Sequence, residues 1–478
     1  MDHPQTHRTE NACCLGEVEL EGHTCLDTIE PLPPRPRGGG GMYLETPSWN
    51  RDSLIDDQII HWPAITCSLS RRAAPQLRAT AIDMDCSRST TLRITGTAGL
   101  IDVLQEEVIA LGLSCDAVDA TAVEVQGSLL DAMRLNLHLT TAMSVRALVE
   151  RFPCDDPDTL YRHINNLPWD DMIPADGYLT VTSSVRHPSI SNTMFANVRV
   201  KDAIVDRIRK VHGARPDSGS DPRGVVVYLH WSGSTASIWL DTSGRKLSDR
   251  GYRRMPHRAP MRETIAAAIL RKAHWTGDTP LVVPMCGSGT IAIEAALMAS
   301  GRPPGLLRTT PFGFEHLIGF DRAQWQAIRA EATPSKSRRR QPLPQIIAND
   351  IDPEALQAIE RNAQTAGCAQ HIACSVCDFR DTPLPSSPGT IVYHPGYGLR
   401  LGEDESLEPL YKHIGDHMKQ QCGGWQGWVF TGNLELAKRI GLRPSCRIPV
   451  RHANLEARLL GFELWQGSDD PASQGAAS

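Results

Sequence analysis

What this 478-residue chain lacks narrows it first. No apolar run approaches the roughly 18–20 residues that span a bilayer, so no membrane-spanning helix is expected. The opening Met1-Asp2-His3-Pro4-Gln5 has no apolar h-region, so no secretory signal is expected. The 13 cysteines are odd in number and scattered. That usage excludes a disulfide framework and points to a reducing, cytoplasmic compartment. Cys374-Ser375-Val376-Cys377 is the one CxxC, and no second pair or histidine cluster completes a zinc site, so no metal is expected. Cationic excess is also missing. The net charge is -6, which argues against a nucleic-acid partner for the chain as a whole but hides local patches. What is present is a globular composition, 41% apolar and 22% charged, which excludes a disordered chain, a collagen and a coiled coil. The length suits two to four domains at roughly 100–200 residues each.

Residues 1–90 differ from the rest. Pro31-Leu32-Pro33-Pro34-Arg35-Pro36-Arg37 runs into four glycines, with no sustained period on either side, so a disordered extension is expected. Regular patterning starts near Leu92. A short strand, then a helix carrying Leu100, Leu104 and Val108, then a strand at Val123 and a helix over 129–137, read as an α+β module. A helix from Met194 is expected to bury Val200, Ile204, Ile208 and Val211 on one face. Residues 224–231 and 236–240 read as a strand pair around Gly233-Ser234. From about Met261, strands alternate with helices, the signature of a doubly wound parallel sheet. Its strands are expected at 281–283, 346–348, 372–376, 390–393 and 428–430, with 447–450 and 457–464 closing as an antiparallel pair. The tail, 467–478, is expected to be disordered.

The sharpest chemical signal is Val283-Pro284-Met285-Cys286-Gly287-Ser288-Gly289-Thr290, a strand running through a glycine turn into a helix. Glycines let a backbone approach a ligand closely, and the helix start offers unpaired N–H groups. An NTPase P-loop would need a Lys-Ser/Thr pair, which is missing. A dinucleotide site wants an acid about 20 residues on. Here the next strand-end acid, Asp350, lies 67 residues after Val283. S-adenosyl-L-methionine (SAM) sites tolerate that spacing. Asp350 is suited to accept ribose hydroxyls, and Asp352 before Pro353 is suited to cap a helix. Asp378, after the third strand, could face an adenine edge. Tyr393-His394-Pro395-Gly396-Tyr397 follows the fourth.

Taken in order, these sites resemble the class I methyltransferases that carry a THUMP domain, of the RlmL type. The resemblance covers residues 92–465. It is carried by Val200-Lys201-Asp202-Ala203-Ile204-Val205-Asp206, Arg250-Gly251-Tyr252-Arg253, residues 284–290, Asp350-Ile351-Asp352-Pro353 and Gly398-Leu399-Arg400-Leu401-Gly402. It implies an α/β fold class, a Rossmann-like methyltransferase domain (244–466) preceded by an α+β ferredoxin-like part (91–134) and a THUMP-like RNA-binding domain (135–243). It implies SAM as cofactor, held by Pro284, Cys286, Gly287, Ser288, Gly289, Asp350 and Asp378. It implies methylation of guanine N2 in large-subunit ribosomal RNA, with His394, Pro395 and Tyr397 forming the target-base site. Two positions differ from the family. Val283 stands where the family has Asp, and His394-Pro395-Gly396-Tyr397 where it has Asn-Pro-Pro-Tyr. A neutral imidazole at His394 can still accept one hydrogen bond from the amine, which a protonated one cannot. The Pro395 carbonyl can accept another, and Tyr397 still offers a stacking face.

The partner implied is ribosomal RNA or a pre-ribosomal particle. Residues 186–215 hold seven Lys/Arg against two Asp, and residues 245–272 hold nine against two acids. Arg199, Lys201, Arg207, Arg209, Lys210, Arg250 and Arg253 are therefore expected to contact phosphates. An alternative reading is a ribosome-assembly factor that keeps the fold and RNA binding but has lost turnover. A DNA or protein amino-methyltransferase is a second alternative, which the THUMP-like half argues against.

Overall fold

The computed structural model describes residues 89–257, 260–334, 343–396, 407–452 and 455–465. The extension expected over 1–90, apart from its last two residues, lies outside the described residues, as do the tail, the basic segment 335–340, Tyr397 and the 398–402 motif. Among the described residues no helix is long and apolar enough to cross a membrane.

The first half runs β1 (Thr90–Thr95), α1 (Ile101–Ala110), β2 (Cys115–Val118), β3 (Ala122–Gly127), α2 (Leu129–His138), β4 (Ser144–Pro153), α3 (Pro157–Asn166), β5 (Tyr178–Arg186), α4 (Thr193–His212), β6 (Asp217–Ser218), β7 (Val225–Ser232) and β8 (Thr235–Asp241). Local chemistry sets the helix ends. Ser128 and Asp131 form a capping box on α2, and Asp156 with Pro157 starts α3. Gly213, at φ 71, ends α4. The eight strands form one sheet in the order β2-β3-β1-β4-β8-β7-β5-β6. The sheet is continuous across the boundary expected near 134, which falls inside α2.

The pleat decides which side is core. Leu92, Ile94, Val123, Val125, Val227, Leu229, Ile238 and Leu240 share one face, and α1 to α4 pack against it through residues such as Leu104, Met133, Leu160 and Ile204. Of the four apolar positions expected on α4, Val200, Ile204 and Ile208 are buried, while Val211 is 49% exposed. The helix outlasts the sheet that covers it, so its last turn faces solvent.

The second half runs α5 (Glu263–Lys272), β9 (Leu281–Pro284), α6 (Thr290–Ala299), α7 (Arg322–Ala332), β10 (Ile346–Asp350), α8 (Pro353–Ala366), β11 (Ile372–Val376), β12 (Thr390–Tyr393), α9 (Glu408–Gln421), β13 (Gln426–Thr431), β14 (Cys446–His452) and β15 (Leu455–Glu463). The sheet order is β11-β10-β9-β12-β13-β15-β14. The first five strands are parallel, and β15 and β14 close it antiparallel. Both faces are covered, so its strands read as apolar runs. The insertion that separates β9 from β10 has a structural use. Its Phe312, Phe314 and Trp325 pack into the core of the first half, with ring centroids 5.0–5.6 Å apart.

Candidate functional site

The order of the second sheet reverses between β9 and β12, which makes their carboxyl ends a topological switch point. Pro284, Met285, Cys286, Gly287, Ser288 and Gly289 leave β9 there and enter α6. The turn is tight. Met285, Gly287 and Gly289 all have positive φ, at 62, 53 and 80. A side chain at Gly289 would overlap Ile359 of α8 as well as being strained. Gly289 caps α6 without a side-chain hydrogen bond, so the first amides of the helix remain available to an anion or carboxylate.

Asp350 ends β10 and braces this turn. One of its carboxylate oxygens accepts from the Gly287 amide at 2.9 Å and the other from the Asp352 amide at 3.1 Å. Each oxygen keeps a second lone-pair site, so the carboxylate can also accept ribose hydroxyls. Asp352 caps α8 through the Glu354 amide at 2.9 Å, and its other oxygen lies 3.2 Å from His257 Nε2. Asp378 is committed differently. It accepts from the Arg380 side chain through both oxygens, at 2.9 Å each, and that pairing holds its pKa below the usual carboxylate range. The Cys286 thiol is driven well above its normal pKa by burial, then by Asp350, and stays neutral.

The neighbouring strand β12 is parallel to β9, so the fourth motif emerges on the same edge as the glycine turn. His394 is half-buried with its ring 5.7 Å from that of Phe430, Pro395 is buried and Gly396 is exposed. Tyr397 lies outside the described residues, so two of the three expected target-site residues are placed. Behind the strand, the Tyr393 hydroxyl and His417 Nδ1 share a 2.6 Å hydrogen bond.

The expected phosphate contacts need correction. Arg250 is 3% exposed, donates to the carbonyls of Leu247 and Thr140, and lies 3.6 Å from Glu294. Arg253 donates to Ser288 Oγ at 2.8 Å, Thr290 Oγ1 at 3.0 Å and Glu263 Oε1 at 2.7 Å. Neither reaches a surface phosphate; both are built into the junction beside the glycine turn. On α4, Arg199 pairs with Asp158, Lys201 with Asp202, Arg207 with Asp170 and Arg209 with Asp206. Lys210 is exposed. The sequence count overstates free charge because α4 is faced by acids from α3 and the turn after it.

Sequence reasoning also missed residues that hold the site. Asn362, fully buried on α8, accepts from the amides of Arg254 and Met255 and donates to the carbonyls of Met255 and Ser288. Glu294, on the otherwise apolar α6, receives the Tyr252 hydroxyl at 3.1 Å, and burial raises its pKa to about 7. A lone polar residue on an apolar helix face was the available signal in both cases.

The doubly wound sheet, its glycine turn at the switch point and the α+β half before it define the class of THUMP-bearing methyltransferases. Residues 250–460 match the RMKL-like methyltransferase domain, residues 91–145 the RlmL ferredoxin-like domain and residues 154–241 the THUMP domain. The chain is 36% identical over 389 residues to ribosomal RNA large subunit methyltransferase K/L of Syntrophotalea carbinolica, across 79% of this chain and 54% of that protein. It is 32% identical over 375 residues to slr0064 of Synechocystis sp. PCC 6803, described as an RNA methyltransferase, across 78% of this chain and 96% of the relative. Among solved structures, SMU.472, described as a methyltransferase and crystallised with SAH, superposes with a TM-score of 0.70 at 26% identity over 79% of this chain and 99% of that one. This chain therefore belongs to the family of RlmL-like, THUMP-domain RNA methyltransferases. It spans about half the length of the K/L relatives it matches.

Proposed function

We propose that this chain transfers a methyl group from SAM to N2 of a guanine in large-subunit ribosomal RNA, free or in a pre-ribosomal particle, in the cytoplasm. The observation that carries the reading is the pairing of β9 with β12, which brings the glycine turn and His394-Pro395 out side by side at the switch point. The residues fit the cofactor: uncapped amides at the start of α6, a turn that admits no side chain at Gly289, and a strand-end carboxylate at Asp350. SAM, when bound, supplies an electrophilic methyl group. The residues of the chain do the rest by placement. Gly287, Ser288 and Gly289 present backbone, and Asp350 accepts hydroxyls. An exocyclic guanine amine is a weak nucleophile because its lone pair is delocalised. His394 Nδ1 or Nε2 and the Pro395 carbonyl can accept its two N–H bonds and orient the nitrogen, and Tyr397 would stack on the base. Asp378 Oδ2, which accepts one bond from Arg380, keeps a second lone-pair site with which to meet an adenine amine.

Support for RNA as the partner comes from the other face of the first sheet. Opposite the helices, cross-strand neighbours bring Arg93, Arg146, Arg151, Tyr228 and His230 together, with Arg93 paired to Asp119 and Glu124, Arg146 to Asp241, and Arg151 3.9 Å from Glu124. The Arg146 guanidinium lies 3.6 Å from the centroid of the Tyr228 ring. Burial lowers the pKa of His230, and then Arg93, Arg146, Arg151 and Arg186 lower it further, as expected where cations converge. Arg186 and Arg151 are exposed. Cations, hydroxyls and an aromatic face are the groups that bind a nucleic-acid backbone.

A second reading, an assembly factor without turnover, is favoured by Val283, buried and apolar where the family has an acid. Incubation with SAM and unmodified large-subunit ribosomal RNA, followed by nucleoside mass spectrometry, separates the two. N2-methylguanosine is the expected product; its absence while SAM and RNA both bind would establish the second reading.

A further inference from the structure

The peptide after Gly396 is held at its carbonyl from behind. Tyr411, on α9 and fully buried, places its hydroxyl 3.2 Å from the Gly396 carbonyl and 2.6 Å from Thr431 Oγ1 at the end of β13. A carbonyl can only accept, so the single Tyr411 proton goes to Gly396. Thr431 must then donate to the Tyr411 oxygen, and Thr431 in turn accepts from the Asn433 amide at 3.0 Å. The relay runs one way: Asn433 N–H to Thr431, Thr431 O–H to Tyr411, Tyr411 O–H to Gly396.

We propose that Tyr411 is a positioning residue that fixes the target-base loop through the Gly396 carbonyl, a role that rests on the reading of His394-Pro395 as the amine-accepting site. The argument is conformational. A second proline at position 396 would restrict the backbone by its ring, and Gly396 removes that restriction. A hydrogen bond to the Gly396 carbonyl restores it from outside. With Pro395 buried on one side and the Gly396 carbonyl tied on the other, the backbone that carries the Pro395 carbonyl is restricted from both sides. The donor end of this bond is fully buried, so losing the bond would leave the Tyr411 hydroxyl short of a partner. Burial also raises the Tyr411 pKa to about 12, so the donor keeps its proton across any working pH.

Tyr411→Phe removes the donor and little volume, and Thr431→Val breaks the relay one step back if the first variant folds poorly. Three readouts are taken on the full chain: SAM affinity by calorimetry, kcat and KM for methyl transfer, and hydrogen exchange of the Gly396 and Tyr397 amides that flank the tethered carbonyl. Faster exchange at those two amides, kcat down about tenfold or more, and SAM affinity within about twofold are expected. Gly396→Pro should recover activity in the Tyr411→Phe background. Space is open where a Cβ at position 396 would lie, and the Gly396 φ is not in the left-handed range, so neither obstructs the substitution. Unchanged exchange, or a loss of kcat that Gly396→Pro leaves untouched, would overturn the assignment. If the natural chain methylates no RNA and yet exchange responds as described, the tether stands and the proposed activity fails. If it methylates RNA and neither exchange nor kcat responds, the activity stands and the tether fails.

Discussion

Arg253 donates to the Ser288 hydroxyl at 2.8 Å, so the segment leaving the first sheet is bolted to the glycine turn of the second. The same guanidinium reaches Thr290, Glu263 and the Met261 carbonyl. The end of the turn that enters α6 therefore depends on a residue that precedes α5. Arg253→Gln should weaken SAM binding by about tenfold, since hydrogen bonds to charged groups contribute roughly 1.5–3 kcal/mol. RNA affinity should stay the same. Calorimetry with SAM and filter binding with RNA check the two halves of this statement, and a loss confined to RNA would return Arg253 to the phosphate-binding surface.

The charged sheet face makes a salt-dependent prediction. Arg151→Glu with Arg186→Glu should lower affinity for ribosomal RNA at least tenfold and flatten the dependence on salt by about two contacts. Arg207→Glu with Arg209→Glu should do less, because those cations are hydrogen-bonded to Asp170 and Asp206, whereas Arg151 lies 3.9 Å from its nearest acid, Glu124, and Arg186 is exposed. Binding titrations from about 50 to about 300 mM salt, over which the Debye length falls from roughly 14 to roughly 6 Å, rank the two pairs. The reverse ranking would move the interface to α4.

Glu294 should set part of the pH dependence of stability. Its folded pKa, about 7, is raised above the unfolded value of 4.5 by burial. A raised pKa contributes stability that is complete below about 4.5 and is lost as pH climbs through 7. The loss amounts to about 3 kcal/mol. Glu294→Gln keeps a hydrogen-bond acceptor for Tyr252 without the charge, so its denaturation midpoint should vary less between pH 5 and 7.5. Equal slopes for both proteins would show that Arg250, 3.6 Å away, keeps Glu294 ionised throughout.

Val283 is 1% exposed at the end of β9. Val283→Asp should lower the melting temperature of the free protein, because a carboxylate is buried among apolar neighbours such as Leu281 and Ile291. It should also increase the stabilisation gained on adding SAM, whose ammonium group would pair with the new acid. Thermal melts with and without SAM measure both effects. A melting temperature that drops with no larger ligand shift would mean that the pocket lies away from this side chain.

The sequence by itself determined the strands, the glycine turn and the acids that end or cap its neighbours. Those features depend on local rules: apolar runs for strands covered on both faces, glycine where φ is positive, aspartate and proline at a helix start. Gly287, Gly289, Asp350 and Asp352 were legible for that reason. The tertiary structure alone decided what the arginines do. A count of residues 186–272 records charge but not the acids that folding brings opposite it, such as Asp158 and Asp170 against α4. Arg250 and Arg253 sit in a sequence that reads as basic surface, yet packing of α5 and α6 buries Arg250 beside Glu294 and holds Arg253, half-buried, against Glu263. Cross-strand register pairs Arg93 with Arg146, 53 residues on, and leaves Arg151 farther along the same face of the sheet. The Tyr411 bond to Gly396 spans 15 residues and depends on where α9 docks. Long-range pairing of this kind is fixed by the packing of whole elements, whose registers no local pattern encodes.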